Sequence, residues 1–127
     1  MTRITSYTDA TQHRKAGPYS PVLRISAGDL IVISGQGPLN DDGELIGSNI
    51  AEQTRATLAN CAKALAEAGV TLDDVFKVNV FLADLDDWPA FNTEYVTHFS
   101  EPLPVRTAVG TKLLLGMLVE IEMWAAG

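Results

Sequence analysis

The sequence predicts an α+β fold in one domain, residues 1–127, with two helices on one face of a mixed sheet. Three observations lead to this prediction. The 127 residues are about the length of one domain, and their apolar content of 46% suffices for one core. Two segments carry apolar residues at helical spacing, whereas several others alternate or are rich in β-branched residues. No internal repeat or linker divides the chain, so we expect one compact unit.

A rigid loop and a β-hairpin are predicted near the amino terminus. Gly17-Pro18-Tyr19-Ser20-Pro21 contains two prolines, which fix φ and remove backbone donors, so this segment cannot continue a helix or a central strand. Residues 22–26 and 30–34 are rich in β-branched residues and flank the turn Ala27-Gly28-Asp29. This arrangement predicts that the two strands pair as a hairpin and open the sheet.

Two segments are predicted to be helices. Ser48-Asn49 can cap a helix over about residues 50–68, whose apolar residues recur every three or four positions and which stops at Gly69. A second helix near 87–99 follows a group of carboxylates, which favour a helix amino end. Its aromatic residues share one face: Trp88, Phe91, Tyr95 and Phe99.

Strands are predicted from Val75 to Leu82, over residues 105–109 and over residues 118–125. The order is therefore β-β-α-β-α-β-β, and a further amino-terminal strand is left open. Two helices can cover only one face of such a sheet. The other face stays partly apolar, with Glu120 and Glu122 sharing it in the last strand, so we expect the chain to oligomerise.

The charge of the chain excludes several classes of partner. Nine Lys and Arg against sixteen Asp and Glu give a net charge of -7, which disfavours binding to nucleic acid and to anionic membranes. No apolar run approaches the roughly 20 residues needed to span a bilayer. The amino terminus lacks the apolar stretch of a secretory signal, and the single cysteine, Cys61, cannot form an intrachain disulfide. We therefore expect a cytoplasmic protein.

Arg106 is the strongest candidate for a binding residue. It begins a strand whose neighbours on the same face, Ala108 and Gly110, are small and leave room for a ligand. A guanidinium can grip a carboxylate through two parallel hydrogen bonds. An exposed arginine on an edge strand is an equally good interpretation of the residues alone. Glu120 and Glu122 lie two apart on one strand face, where one could orient a water, although a solvated face explains them as well.

Other polar residues are weaker candidates. Tyr19 and Ser34 are hydroxyl donors on or beside Gly/Pro loops, and Asn92 could offer a polar contact from the second helix. Turn, edge and exposed-helix roles are alternatives for all three. Cys61 lies on the apolar face of the first helix, and we assign it to the core. His13 and His98 have no second ligand at metal-binding spacing, so no metal site is expected, and no glycine-rich nucleotide motif occurs.

Five motifs in order resemble the RidA/YjgF family of reactive intermediate deaminases, over nearly the whole chain. They are Gly17-Pro18-Tyr19-Ser20-Pro21, Ile33-Ser34-Gly35-Gln36-Gly37-Pro38, Asn92-Thr93-Glu94-Tyr95, Pro104-Val105-Arg106 and Val119-Glu120-Ile121-Glu122. The resemblance implies a chorismate-mutase-like fold and a homotrimer with a central barrel and pockets between subunits. It also implies hydrolysis of enamines and imines, such as 2-aminoacrylate, to 2-keto acids and ammonia without a cofactor.

The same resemblance implies roles for individual residues. Arg106 would clamp the substrate carboxylate, and Glu120, with Glu122 as the alternative, would position the water. The pocket would be lined by Tyr19, Ser34 and Asn92, together with backbone groups of Gly35 and Ala108.

Two departures from the family pattern bear on specificity. Thr107 and Ala108 follow the arginine, so the cysteine that many members carry there is absent. The loop of residues 110–118 is about one residue shorter than usual and carries three consecutive leucines, and we expect it to border the pocket with an altered substrate preference. A non-catalytic module that binds small carboxylates or regulates a partner is the alternative function. The charge of -7 makes a ribonuclease unlikely.

Overall fold

The computed structural model describes residues 3–7, 17–26 and 28–127. His13 and Ala27, discussed above, lie outside these ranges. The elements in chain order are β1 (Arg3–Tyr7), β2 (Val22–Ser26), β3 (Leu30–Gln36), α1 (Ile50–Glu67), β4 (Val75–Leu82), α2 (Trp88–Tyr95), β5 (Val105–Gly110) and β6 (Val119–Ala126). The predicted order of strands and helices is confirmed, and the amino-terminal strand that was left open is present as β1.

The main sheet has four strands in the order β3-β6-β4-β5. Only β4 and β5 run parallel, and the other pairs are antiparallel, so the sheet is mixed as predicted. Strands β1 and β2 form a separate antiparallel pair, from Arg3 opposite Ser26 to Tyr7 opposite Val22.

The predicted hairpin of residues 22–26 and 30–34 is wrong, because β2 pairs with β1 whereas β3 pairs with β6. The turn between β2 and β3 does not close a hairpin. The backbone N–H groups of Gly28 and Asp29 both donate to the carbonyl of Gly127, at 3.1 and 3.0 Å. The turn therefore holds the end of β6 beside β3. The partner of β3 is β6, from the other end of the chain, and not β2 as predicted.

Helix α1 agrees with its prediction to one residue. The Asn49 side chain accepts a hydrogen bond from the N–H of Glu52, and the chain leaves the helix at Gly69, whose φ of +76° favours glycine. Helix α2 is shorter than predicted, because a 3-10 turn over residues 96–98 follows it and Phe99 is extended. The Phe99 ring still packs 4.6 Å from that of Tyr95, which explains why its spacing suggested a longer helix.

One core lies between the two helices and one face of the main sheet. Its fully buried members come from both layers and include Leu58, Cys61, Leu65, Val78, Leu82, Phe91, Ile121 and Met123. The alternation predicted for β6 is confirmed, with residues 119, 121, 123 and 125 buried and 120, 122 and 124 half-buried.

The face of the sheet opposite the helices stays uncovered in the single chain. The side chains of Leu30 and Val32 are 64% and 57% exposed there, and Phe81 and Trp124 are half-buried. This agrees with the expectation that two helices cover one face only. Within the described residues, no helix has the length and apolar character that crossing a membrane requires.

Candidate functional site

Arg106 lies among four aromatic rings at the start of β5. Its guanidinium carbon is 4.8 Å from the ring centroid of Tyr95, 5.0 Å from Trp88, 5.5 Å from Tyr19 and 5.7 Å from Phe91. The faces of aromatic rings attract a cation at such distances. Arg106 is therefore half-buried in an aromatic cage. The alternative, an exposed arginine on an edge strand, is right about the strand, since β5 is at the edge of the sheet, and wrong about the exposure.

The guanidinium has donors that the described residues leave without a complete hydrogen bond. Nη1 and Nη2 of Arg106 are both covered, and neither has a hydrogen-bond partner among the described residues. Burial lowers the pKa of Arg106, and the nearby phenol groups of Tyr95 and Tyr19 oppose this effect. Arginine nonetheless remains charged at neutral pH. A covered cation with two free donors is suited to a bidentate anion such as a carboxylate.

The segment of residues 17–21 closes over this guanidinium. Ser20 fastens it, since its N–H donates to the Pro104 carbonyl at 3.0 Å and its hydroxyl donates to the Leu103 carbonyl. A Cβ on Gly17 would stand 2.9 Å from Nη2 of Arg106, so a larger residue there would push the guanidinium aside. The rigid loop predicted from its prolines thus holds the Tyr19 ring beside Arg106.

Helix α2 supplies the other rings and two further polar atoms. Asn92 Oδ1 and the Tyr95 hydroxyl are buried, and neither has a hydrogen-bond partner among the described residues. The sequence analysis placed Trp88, Phe91 and Tyr95 on one face of this helix and did not connect them with Arg106. Their spacing of three and four residues was the available signal, since it places all three on one side of a helix.

Glu120 belongs to a second group of residues, on the other side of the sheet. It lies in β6 beside Gly35 of β3, where a Cβ on Gly35 would stand 2.7 Å from Oε2 of Glu120. Ser34 precedes Gly35 and is exposed. Ala108, in contrast, lies opposite Val80 on the helix-facing side of β5, two residues after Arg106.

Two amide side chains of α1 hold the backbone around Glu120 and Gly35. Gln53 Oε1 accepts from the N–H of Leu118, and its Nε2 donates to the Gly47 carbonyl. Asn60 Nδ2 donates to the carbonyls of Gly37 and Leu39, at 2.8 and 2.9 Å. The approach to β6 and the exit from β3 are therefore both fastened to one helix.

The strand registers separate Arg106 from Glu120 within one chain. Arg106 is opposite Val78 of β4 and Glu120 is opposite Phe81, three residues further along the same strand. Because side chains alternate along a strand, the two project from opposite faces. They are two strands apart across the sheet and three residues along it, which corresponds to about 14 Å between their Cα atoms. One chain does not bring the two predicted catalytic residues together.

The leucine-rich loop lies at the end of the sheet nearer to Glu120. Leu114 and Leu115 are 78% and 66% exposed, and Leu115 has a φ of 59°, a left-handed conformation that is uncommon for leucine. The loop connects Gly110 to Val119, and both of these residues pair with Leu82 at the end of β4. Arg106 pairs with Val78, four residues earlier on the same strand.

The remaining titratable candidates, Cys61 and His98, contact residues of the fold and lie outside the group around Arg106. Cys61 is buried in the core, and burial raises the pKa of its thiol to about 12. His98 pairs with Glu94 at 2.8 Å. Within residues 3–7, 17–26 and 28–127, no three His, Cys, Asp or Glu side chains form a group that could hold a metal ion.

Comparison with known proteins adds sequence and structural relatives. The family model described as Endoribonuclease L-PSP matches residues 10–127. The mitochondrial protein mmf2 of Schizosaccharomyces pombe is 41% identical over 114 residues, covering 87% of this chain and 88% of its own. A RutC family protein of Pyrococcus abyssi is 39% identical over 108 residues, covering 84% of each.

A solved structure agrees with these relatives. The crystal structure of RidA from an Antarctic Psychrobacter bacterium superposes with a TM-score of 0.74 at 34% identity, covering 87% of this chain and 89% of that one. The match of the family model spans nearly all of the sequence, and the relatives exceed 30% identity over most of it. The chain therefore belongs to the RidA/YjgF family, whose family model is described as Endoribonuclease L-PSP.

Proposed function

We propose that the protein hydrolyses reactive enamines and 2-imino acids to 2-keto acids and ammonia. The observation that carries this proposal is the Arg106 guanidinium, which is covered by aromatic rings and has two nitrogens without hydrogen-bond partners in the part of the chain that the structure describes. Leaving a covered cation unpaired costs stability, and a ligand carboxylate removes that cost by accepting two charge-assisted hydrogen bonds. Family membership supports a substrate of this class.

Hydrolysis of an imine requires the protein to position the substrate and a water, and it does not require a nucleophilic side chain. The carbon of a protonated C=N bond is already electrophilic, so the site must hold it beside an oriented water. Water adds to that carbon and gives a carbinolamine, which then expels ammonia and leaves the C=O bond of the keto acid. An enamine enters the same path after its β-carbon takes a proton. Glu120 orients the water and stabilises the cationic nitrogen.

We further propose a homotrimer in which Glu120 of one copy faces the Arg106 group of the next. The separation of about 14 Å within one chain makes a second copy necessary for a small substrate to touch both residues. The uncovered sheet face, where Leu30 and Val32 are exposed and Glu120 lies between them and β4, supports an interface on that side. Hydrolysis of this kind needs no cofactor.

The test uses 2-imino acids generated by an amino-acid oxidase and trapped with semicarbazide, so that deaminase activity lowers the trapped signal. Arg106→Ala removes both charge-assisted bonds and should lower kcat/KM by two or more orders of magnitude. Arg106→Lys keeps the charge without the fork and should also be poor. Arg24→Ala, at an exposed arginine that donates to Tyr7, is the matched control. Full activity in Arg106→Ala would contradict the proposal.

A small-carboxylate-binding module is the second candidate. It is favoured by the fact that Arg106 has no ion pair with a carboxylate among the described residues, a geometry adequate for binding alone. Calorimetric binding of 2-keto acids without turnover of any imine would support this function. The net charge of -7 disfavours RNA as a substrate.

A further inference from the structure

We infer that the hydroxyl group of Tyr95 is a third donor in the carboxylate site of Arg106. This inference rests on the proposed function, because it assumes that Arg106 binds the carboxylate of a small acid. It adds a binding residue that neither the motifs nor the sequence pattern assigned.

The Tyr95 hydroxyl forms no geometrically complete hydrogen bond within the described residues, and it lies near the Arg106 guanidinium, whose pKa burial lowers and the phenol raises. The side chain is fully buried and its oxygen has no hydrogen-bond partner there, while its ring packs 5.4 Å from Phe91 and 4.6 Å from Phe99. Phenylalanine would make the same ring contacts and would leave no buried polar atom unpaired. A hydroxyl that costs stability at this position is best explained by a ligand that accepts its hydrogen bond.

The Tyr95 phenol group lies near the Arg106 guanidinium, since it opposes the effect of burial on the pKa of that group through charge interaction and partial hydrogen bonding. The ring centroid of Tyr95 is the nearest of the four to the guanidinium carbon, at 4.8 Å. Nη1 and Nη2 of Arg106 are covered and, like the tyrosine oxygen, have no complete hydrogen bond to any described residue. Each carboxylate oxygen has two lone pairs, of which a bidentate arginine uses one. The phenol can therefore donate to a second lone pair of the same carboxylate.

The protonation state of Tyr95 suits this role. Burial raises the pKa of the phenol above its ordinary value, and the nearby Arg106 cation reduces that effect only in part. The group therefore stays a neutral O–H donor throughout the physiological range. Because a phenolate would repel a carboxylate, this neutrality is needed for binding.

Access to the site runs past the amino-terminal loop. Gly17 covers Nη2 of Arg106, since a Cβ there would come within 2.9 Å of that nitrogen. Because Ser20 is fastened by its own hydrogen bonds, we expect Gly17 and Pro18 alone to move aside when the carboxylate enters.

Tyr95→Phe tests the inference with two measurements on the full chain. Calorimetry with 2-oxobutanoate, a keto acid of the product class, should give a Kd raised about tenfold or more, since one hydrogen bond to a charged group is lost. The melting temperature without ligand should stay unchanged or rise, because an unpaired buried hydroxyl is removed. Arg106→Ala should abolish binding in the same assay.

Two controls show whether a change in Kd comes from the lost contact between the Tyr95 hydroxyl and the carboxylate or from the loss of any tyrosine hydroxyl. Tyr7→Phe removes a hydroxyl that already accepts from Arg24 Nε at 3.1 Å, and it should leave the Kd unchanged. The amide of the same keto acid, which lacks the carboxylate, should not distinguish wild type from Tyr95→Phe.

The outcomes distinguish the two proposals. An unchanged Kd in Tyr95→Phe, whether or not its melting temperature falls, overturns the role of Tyr95 while leaving Arg106 as the carboxylate site. Undiminished binding in Arg106→Ala overturns the proposed function itself. If Tyr95→Phe is too unstable for calorimetry, the rise in melting temperature with 2-oxobutanoate is compared instead. A rise equal to that of wild type then overturns the inference.

Discussion

Replacing Gly35 with alanine should displace the Glu120 carboxylate while leaving the fold intact. An added Cβ would stand 2.7 Å from Oε2 of Glu120, 3.1 Å from its Cδ and 3.3 Å from its Cγ. Ordinary contact begins at 3.4 Å, so the carboxylate oxygen must move by about 0.7 Å. Misplacing a catalytic group by about 1 Å can lower a rate about 100-fold. We expect kcat for imine hydrolysis to fall by about 10- to 100-fold.

The stability of the Gly35→Ala protein should change by less than about 1 kcal/mol, because the end of the Glu120 side chain can swing away. The assay combines kcat and KM from the semicarbazide competition with the melting temperature. Gly28→Ala is the matched control, since its Cβ would meet only the Gly127 carbonyl, at an ordinary 3.5 Å. A wild-type kcat in Gly35→Ala would refute the reasoning that the position of Glu120 matters. A fall in kcat accompanied by a large loss of stability would point to damage of the sheet instead.

Two further predictions concern titrating groups outside the candidate site. The Arg55 guanidinium, and after it His98, hold the pKa of Glu94 below its ordinary value of 4.5. The ionised Glu94 carboxylate therefore stabilises the folded state above pH 4.5. This contribution to the free energy of unfolding is lost as the pH falls through the lower pKa of the folded state. Glu94→Gln should therefore make the free energy of unfolding in urea depend less on pH below 4.5, and an unchanged acid dependence would contradict this. Burial raises the pKa of the Cys61 thiol to about 12, so iodoacetamide at about pH 8 should label it only after denaturation. Labelling of the folded protein at the rate of a free thiol would show that Cys61 is accessible.

Local patterns predicted the elements well because their causes are local. The Asn49 cap and the turn at Gly69 mark both ends of α1 within a few residues, and alternation along β6 identifies its buried face. The pairing of β2 could not be obtained in this way. Its partner is β1, whereas the residues of the expected turn bind the carbonyl of Gly127, about 100 residues away along the chain.

The candidate site was predicted in part. The Gly/Pro loop suggested a support for Tyr19, whose ring lies 5.5 Å from the Arg106 guanidinium carbon, and small neighbours suggested space beside Arg106. Trp88, Phe91 and Tyr95 were predicted to share one helix face, and the structure packs that face into or against the core. That this face also surrounds the guanidinium depends on how α2 lies against β5, which no spacing within α2 encodes.

The sequence by itself determined the net charge, the kinds and order of the elements, and the motifs of the family. Only the tertiary structure decided that Arg106 and Glu120 project from opposite faces of the sheet. Which face each side chain occupies depends on the register of the strands. Arg106 is opposite Val78 and Glu120 is opposite Phe81, and these two residues of β4 are an odd number of positions apart. A shift of one residue in either ladder would place both on one face. Register is set by packing across the whole core, and it is therefore a property of the fold and not of either motif.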